Sequence, residues 1–481
     1  LESLFEVIIL SVVNLPAGAC LDALRDALKS VIGPETQSAL ARHYSNIADL
    51  VLSRWIAAEE TLPSITRRHA EETRAQLDTA RALLRELEPQ GVPPPATTLQ
   101  ELLRRLGYAA AQATAAQANR FHALSQAVIA TEAAVRTEWE AAIAAVAVRP
   151  SRLPQPTAQA PDRGALEAYL RARFPDAQDL VIRSLTRVPG GRSKDTLLLD
   201  VDGLPGLPAS IVLRVDLGRY GTSVRDEYPL IAALHRFGIP VPEPLWLEEA
   251  AAPLGGAFLA TRRMRGAPGG NMWGEGIKVS AAVVKGFAES LAKLHRAPLR
   301  DLLPEIRQAD ARTATEAMIR DYEERWRASN PNASVPLELA FQWLRRELPR
   351  VEGAAALVHG DPGFQNTLVE DDELVCLLDW EFAHAGDPAE DLAYCRPTVS
   401  RVVPWEQFLE HYQAAGGAAV TPARLEYFEI WRTVRNASLG TRMLRDFIDG
   451  AVGGLESCAV AVNTFPRIES QLAASLVKVL A

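Results

Sequence analysis

The sequence predicts an α+β fold of two lobes, one small and β-rich and one large and helical, preceded by an all-α N-terminal domain. Three observations predict it. Residues 1–147 carry apolar positions at helical spacing and long alanine-rich runs, with no period-2 segment. After a linker over 148–163, apolar strand candidates alternate with glycine turns and a single helix. Beyond Gly270 the pattern turns helical again, broken by two strand-like segments, Thr367–Val369 and Leu374–Leu378, around the motif.

Each element follows in order. The apolar run Val7–Val13 is too short to span a bilayer and is preceded by Glu2 and Glu6 where a signal peptide would carry positive charge, so it reads as part of a buried helix. Gly33-Pro34 separates two helices, the second running from Glu35 to about Glu60 with Leu40, Tyr44, Ile47, Leu50, Val51 and Trp55 on its apolar spacing. Glu88–Pro95 is a loop, and Thr98 with Glu101 forms a capping box for the next helix. Ala109–Val146 continues as helix, and the block reads as an antiparallel bundle. Its histidines His43, His69 and His122 stand apart from one another and suggest no metal site. Arg149–Arg163 is rich in Pro, Ala and Gln and lacks periodicity, as a linker does. The small lobe, 164–268, takes strands at Asp179–Val188, Thr196–Val201, Ile211–Val215 and Phe258–Met264. A helix over Asp226–Phe237 is stopped by Gly238 and Pro240. The large lobe, 269–481, contains an amphipathic helix over Ser280–His295, the strand pair Thr367–Val369 and Leu374–Leu378, and a helix from Glu426 to Phe447.

Bulk composition narrows the function classes. The 481 residues exceed what one hydrophobic core serves, and 48% hydrophobic with 23% charged residues is ordinary for a globular chain. A formal net charge of -9 argues against nucleic acid as the main partner. The four cysteines, Cys20, Cys376, Cys395 and Cys458, are scattered and form no CxxC pair, which suggests neither a disulfide framework nor a zinc site and fits a reducing, cytoplasmic setting. No segment has the length and apolarity of a membrane span.

The chemistry concentrates in His359-Gly360-Asp361-Pro362-Gly363-Phe364-Gln365-Asn366, followed by Leu377-Leu378-Asp379-Trp380-Glu381. Phosphoryl transfer needs a carboxylate to take the proton of an attacking hydroxyl and two oxygen ligands for the magnesium that neutralises nucleotide phosphates. Asp361, on a loop between an apolar approach and the turn Pro362-Gly363, is the candidate base. Asn366 and Asp379 are the candidate ligands, brought back beside each other by a hairpin whose turn is Glu370-Asp371-Asp372-Glu373. Any one aspartate here would be read as a helix cap; the three together are not.

Upstream, Pro189-Gly190-Gly191-Arg192-Ser193-Lys194 lies at the tip of the first hairpin. Gly190 and Gly191 would let backbone N–H groups approach phosphate, and the Ser193 hydroxyl would add a donor. The next strand reads Ile211-Val212-Leu213-Arg214-Val215, with no lysine between Lys194 and Lys278. Arg214 is therefore the candidate phosphate cation, and Glu227 on the following helix its candidate partner. Phe258–Met264 is equally a hinge meeting adenine or a plain core strand. His295 reads as structural. Tyr427, Trp431, Arg432, Arg435, Asn436 and Arg442, with the segment Trp273–Trp326, are candidates to line a substrate pocket, each singly better explained by packing.

At these motifs the chain resembles the aminoglycoside phosphotransferase family, whose fold is protein-kinase-like. His359-Gly360-Asp361 with Asn366 is similar to that family's catalytic loop, and Asp379-Trp380-Glu381 to the kinase Asp-Phe-Gly. Gly386-Asp387-Pro388 with Asp391-Leu392-Ala393 matches too; in that family the acidic residues brace the loop and cap the next helix, and helix capping alone is the main expectation for Asp387 and Asp391. The resemblance, over about residues 163–460, implies ATP and Mg2+ as cofactors, Asp361 as base, Asn366 and Asp379 as metal ligands, and His359 as a support. The Val-Leu-Arg strand is similar to that of the phosphotransferase modules attached to some acyl-CoA dehydrogenases, which implies a hydroxyacyl-CoA or hydroxy-acid acceptor ahead of an aminoglycoside or macrolide. The competing reading is a nucleotide-binding pseudokinase or regulatory scaffold, motivated by the missing strand lysine. Expected partners are a small-molecule hydroxyl substrate and, as one arrangement, a second copy in a homodimer; nucleic acid and membrane are not expected.

Overall fold

A computed structural model describes residues 39–87, 98–110, 113–145, 162–188, 194–216, 222–251, 254–270, 277, 279–303, 310–329, 334–449, 458 and 464–480. The expectations placed on Val7–Val13, Cys20, Gly33-Pro34, the Glu88–Pro95 loop, most of the linker, Gly190, Gly191, Ser193 and Trp273 lie outside the described residues. The chain divides into two compact units, one of 1–156, 317–348 and 430–481, the other of 157–316 and 349–429.

Within its described residues the first unit is helical. A 49-residue helix, Ala39–Leu87, packs against helices Leu99–Ala110 and Ala115–Ala145. The sequence reading ended this helix near Glu60, but it runs on through Pro63. Proline lacks the N–H that helix interiors use; here the apolar stripe of Leu62, Ile65, Leu77, Ala80, Leu83 and Leu84, all buried, continues on the far side and outweighs the breaker. Helix Val335–Glu347 packs on Leu99–Ala110 and on Phe465–Leu480, which in turn packs on Ala115–Ala145. Arg136, almost fully buried, sits between Glu132 (3.3 Å) and Glu469 (3.1 Å), and Ser334 donates its hydroxyl to Glu469. The Thr98 cap holds, with Glu101 N–H donating to its hydroxyl at 3.3 Å, while the Glu101 side chain pairs with Arg104 instead of completing the box.

The second unit holds the small lobe and the catalytic part of the large one, in the order of a protein-kinase-like fold. Helix Arg163–Arg173, capped by Asp162, leads into β1 (Val181–Val188), β2 (Lys194–Asp202) and β3 (Ser210–Asp216). Helix Val224–Arg236 follows, with Ser223 as its cap, then β4 (Pro244–Glu248) and β5 (Phe258–Arg262). These strands form one antiparallel sheet in the order β1-β2-β3-β5-β4. Its core joins Leu166 and Leu170 of the first helix to Ile182, Leu197, Leu199, Ile211, Leu213 and Phe258. Beyond β6 (Ala267–Pro268) comes helix Ala281–His295, capped by Ser280, and then β7 (Ala356–Val358), β8 (Thr367–Glu370), β9 (Glu373–Leu377) and β10 (His384–Gly386). Two small sheets, β6-β8-β9 and β10-β7, carry the motif segments; helix Ala281–His295 packs on β7 and β9, helix Pro388–Val399 on β7, and helix Trp405–Ala414 on those two helices.

Candidate active site

β7 delivers His359 and Gly360 into the catalytic loop. Gly360 has φ +80°, and a Cβ there would stand 2.4 Å from the carbonyl oxygen of Phe382, so both conformation and space require glycine. The loop is fixed from below by Asp391, whose carboxylate accepts the backbone N–H of His359 (2.8 Å) and of Gly360 (2.9 Å). His295 Nε2 donates to the same carboxylate at 3.0 Å, and the Tyr412 hydroxyl lies 2.8 Å from His295 Nδ1. This corrects the capping expectation for Asp391: it braces the catalytic loop, and the cap of helix Pro388–Val399 is Asp387, which accepts from Ala389 N–H (2.9 Å) and pairs with Arg424. Burial pushes the Asp391 carboxyl up, but His295 and the backbone donors outweigh it and hold it below the usual range.

Asp361 and Asn366 are in direct contact. The Asn366 amide nitrogen donates to Asp361 Oδ2 at 2.8 Å and to the Asp361 carbonyl at 2.9 Å, which leaves the amide oxygen as the acceptor end. His359 Nε2 donates to the Leu378 carbonyl (3.0 Å) and its Nδ1 accepts Asp361 N–H (3.3 Å), one neutral tautomer serving both bonds. Leu378 N–H donates to the Asn366 carbonyl at 2.8 Å, closing the β8–β9 hairpin just before Asp379. The hairpin turns through Asp371 and Asp372, both at positive φ. Asp379 is itself left-handed, at φ +65°.

The third group is ionic. Arg214 spans two acids, Nη1 donating to Glu227 Oε1 (2.8 Å) and Nη2 to Asp379 Oδ1 (2.7 Å). Lys194 was not singled out from sequence, yet its ammonium donates to Glu381 Oε2 at 2.6 Å and to Thr222 Oγ1 at 3.2 Å and lies 3.5 Å from Glu227 Oε2. Its only signal was position, at the end of the glycine stretch. Burial pushes Asp379 up, but the charge and hydrogen bond of Arg214, with Lys194, leave its carboxyl below the usual range. For Glu227 burial wins, and its carboxyl is raised despite both cations. The structure thus brings Arg214, Glu227 and Asp379 together, and Asp361 with Asn366. Tyr427 and Trp431 are fully buried.

The groups around Arg214, Asp361 and Asp391 lie within one family signature. The phosphotransferase enzyme family matches residues 184–428, half of the chain. The chain belongs to that family. Membership places this phosphotransferase among kinase-like enzymes. Similar curated proteins are acyl-CoA dehydrogenase family member 11 of Rattus norvegicus, 25% identical over 242 residues, and of Gallus gallus, 29% identical over 246. Each alignment covers 48% of this chain and 30% of the relative, so the phosphotransferase spans under a third of those proteins. Among solved structures it is similar to macrolide 2'-phosphotransferase of Brachybacterium faecium, with TM-score 0.45, 20% identity and coverage of 62% of this chain and 98% of that one. A choline/ethanolamine kinase family protein of Mesorhizobium loti gives TM-score 0.45 and 19% identity, over 65% and 99%. Among the described residues no helix is long and apolar enough to cross a membrane.

Proposed function

We propose that the chain is an ATP-dependent kinase that transfers the γ-phosphoryl group to a hydroxyl of a small molecule. The observation that carries this reading is the Asp361–Asn366 contact at 2.8 Å, on a loop tied through Leu378 to Asp379. In the reaction the acceptor oxygen forms a bond to the γ-phosphorus, the bond to the β–γ bridging oxygen breaks, and ADP leaves. Asp361 takes the hydroxyl proton. Its carboxylate is aimed by the Asn366 amide, an arrangement worth about 10²–10⁴-fold in rate for a positioned base. Arg214 is the cation that exchanges a carboxylate for nucleotide phosphate, and Glu227 orients it. Gly190, Gly191 and Ser193 would supply phosphate donors. The Asn366 amide oxygen and the Asp379 carboxylate are hard oxygen donors that fit Mg2+, a cation commonly held by one or two protein ligands with phosphates and water. Bound there, it would neutralise phosphate charge.

The acceptor we infer is a hydroxyacyl-CoA or the corresponding hydroxy acid, supported by the Val212-Leu213-Arg214 strand and by relatives named as acyl-CoA dehydrogenase family members. We place the chain in a reducing compartment, the cytoplasm, since its four cysteines are scattered and form no CxxC pair. The test is ADP release with MgATP and a panel of hydroxyacyl-CoAs, hydroxy acids, aminoglycosides and macrolides. Turnover with an acyl-CoA acceptor, lost by at least about 10²-fold in Asp361→Ala with folding and nucleotide binding retained, is the expected result. Near-normal turnover in that variant defeats the assignment of the base. Nucleotide binding without turnover of any acceptor supports the scaffold reading instead.

A further inference from the structure

The cluster around Glu227 holds two cations on neighbouring strands. Thr196 stands opposite Arg214 in the β2–β3 register, and Lys194 lies two residues before Thr196, so Lys194 and Arg214 project from the same face of the sheet. They meet three carboxylates: Glu227 from the helix behind the sheet, and Asp379 and Glu381 from the segment after β9. The two cations are not placed alike. The Arg214 side chain keeps 17% of its surface, and the Lys194 side chain 1%. Arg214 faces the open side; Lys194 lies behind it, sealed among Glu381, Thr222 and Glu227. A lysine this buried is rare unless paired.

We propose that Lys194 is a positioning residue that holds Glu227 and Glu381 in place, so that Glu227 keeps Arg214 oriented when Arg214 leaves Asp379 for the nucleotide phosphates. The inference rests on the kinase reading. When Arg214 turns to phosphate through Nη2, Asp379 Oδ1 loses a partner while Nη1 keeps Glu227 Oε1. Asp379 can pass to the metal. Glu227 is 1% exposed and cannot pass to water; the ammonium at its other oxygen keeps it partnered. The work that one strand lysine would do is divided here between an anchoring lysine on β2 and a mobile arginine on β3. Without Lys194, Glu227 would have to share Arg214 with the phosphates, and would take up a proton as they draw that charge. The charged groups facing it are Lys194, Arg214, Asp379 and Glu381, so with Lys194 gone Arg214 alone would oppose protonation.

The experiment is calorimetric titration of MgADP into the full chain and into Lys194→Met, Lys194→Arg and Lys194→Met/Glu227→Gln, in buffers of different ionisation enthalpy. The expected result is an affinity loss of about tenfold or more in Lys194→Met. That variant would take up a proton on binding and bind more tightly as pH falls. Lys194→Arg restores the affinity, and the double variant takes up no proton. If Lys194→Met does not fold, Lys194→Gln is titrated in its place. Wild-type binding with an unchanged affinity and no proton uptake in the lysine variant overturns the inference alone. Failure of the wild type to bind MgADP overturns the nucleotide reading and this inference with it.

Discussion

Asp391 carries no chemistry itself, yet three donors converge on its buried carboxylate, and two of them shape the backbone that presents Asp361. Asp391→Asn removes the charge from this pair and puts an N–H where a donor already points. A cost of about 1–3 kcal/mol is expected at neutral pH, since a buried donor is left without its acceptor. The pH dependence has a definite sign. The folded carboxyl is held below its ordinary value of 3.8, so its stabilisation is fully present above that value and is lost as pH falls through the folded value. The gap in urea midpoint between wild type and Asp391→Asn should therefore be constant at neutral pH and close below about pH 4. A gap that widens on acidification refutes the assignment. Asp361, Asn366 and Asp379 were readable in the sequence because a loop and a short hairpin join them locally. Lys194 was not, because its neighbours Thr222, Glu227 and Glu381 are brought to it by strand register and by a segment far along the chain. Asp391 was misread for a related reason: an acid in the first turn of a helix usually serves that helix, and nothing local shows its carboxylate turned to the loop.

At the scale of elements, the β8–β9 hairpin decides where Asp379 stands relative to Asn366. Its two-residue loop has Asp371 at φ +49° and Asp372 at φ +61°, the type I′ geometry that Asn-Gly adopts with least strain. Two further acids, Glu370 and Glu373, flank the loop and face each other across the ladder. Replacing Asp371 by Asn and Asp372 by Gly should relieve both strain and repulsion. The expected gain is about 0.5–1 kcal/mol, read as a higher urea midpoint, with MgADP affinity unchanged. A loss of stability would show that the acidic turn has partners of its own. This hairpin was legible because turn residues and alternating apolar strands coincide in the sequence. The helix Ala39–Leu87 was legible only to Glu60, because propensity speaks residue by residue while burial of Leu62 and Ile65 speaks for the whole stripe. Similarly, β2 starts at Lys194 instead of Thr196; pairing with Asp216 and Val215 extends it past the apolar run.

On the scale of the whole molecule, the first unit is assembled from segments far apart in sequence, residues 1–156 with 317–348 and 430–481. No local pattern announces such an assembly, since each helix shows only that it has an apolar face and not what covers it. Helix Val335–Glu347 buries Leu337, Phe341, Trp343 and Leu344, and helix Phe465–Leu480 buries Leu472 and Leu476. Helices Leu99–Ala110 and Ala115–Ala145 supply part of that cover. Leu102, Leu103 and Leu106 of the first of these are fully buried, each worth about 1.5–3 kcal/mol. Losing that helix alone thus rivals the net stability of an ordinary domain, about 5–15 kcal/mol. Removal of Arg136 would also strip Glu469 of its cation. A fragment beginning at residue 157 keeps every residue of the second unit but should expose the apolar faces of helices 335–347 and 465–480. It is expected to bind a hydrophobic dye such as ANS and to aggregate, whereas the full chain does neither. A fragment that stays soluble, binds no dye and unfolds at the same urea concentration would show that these helices are covered without residues 1–156.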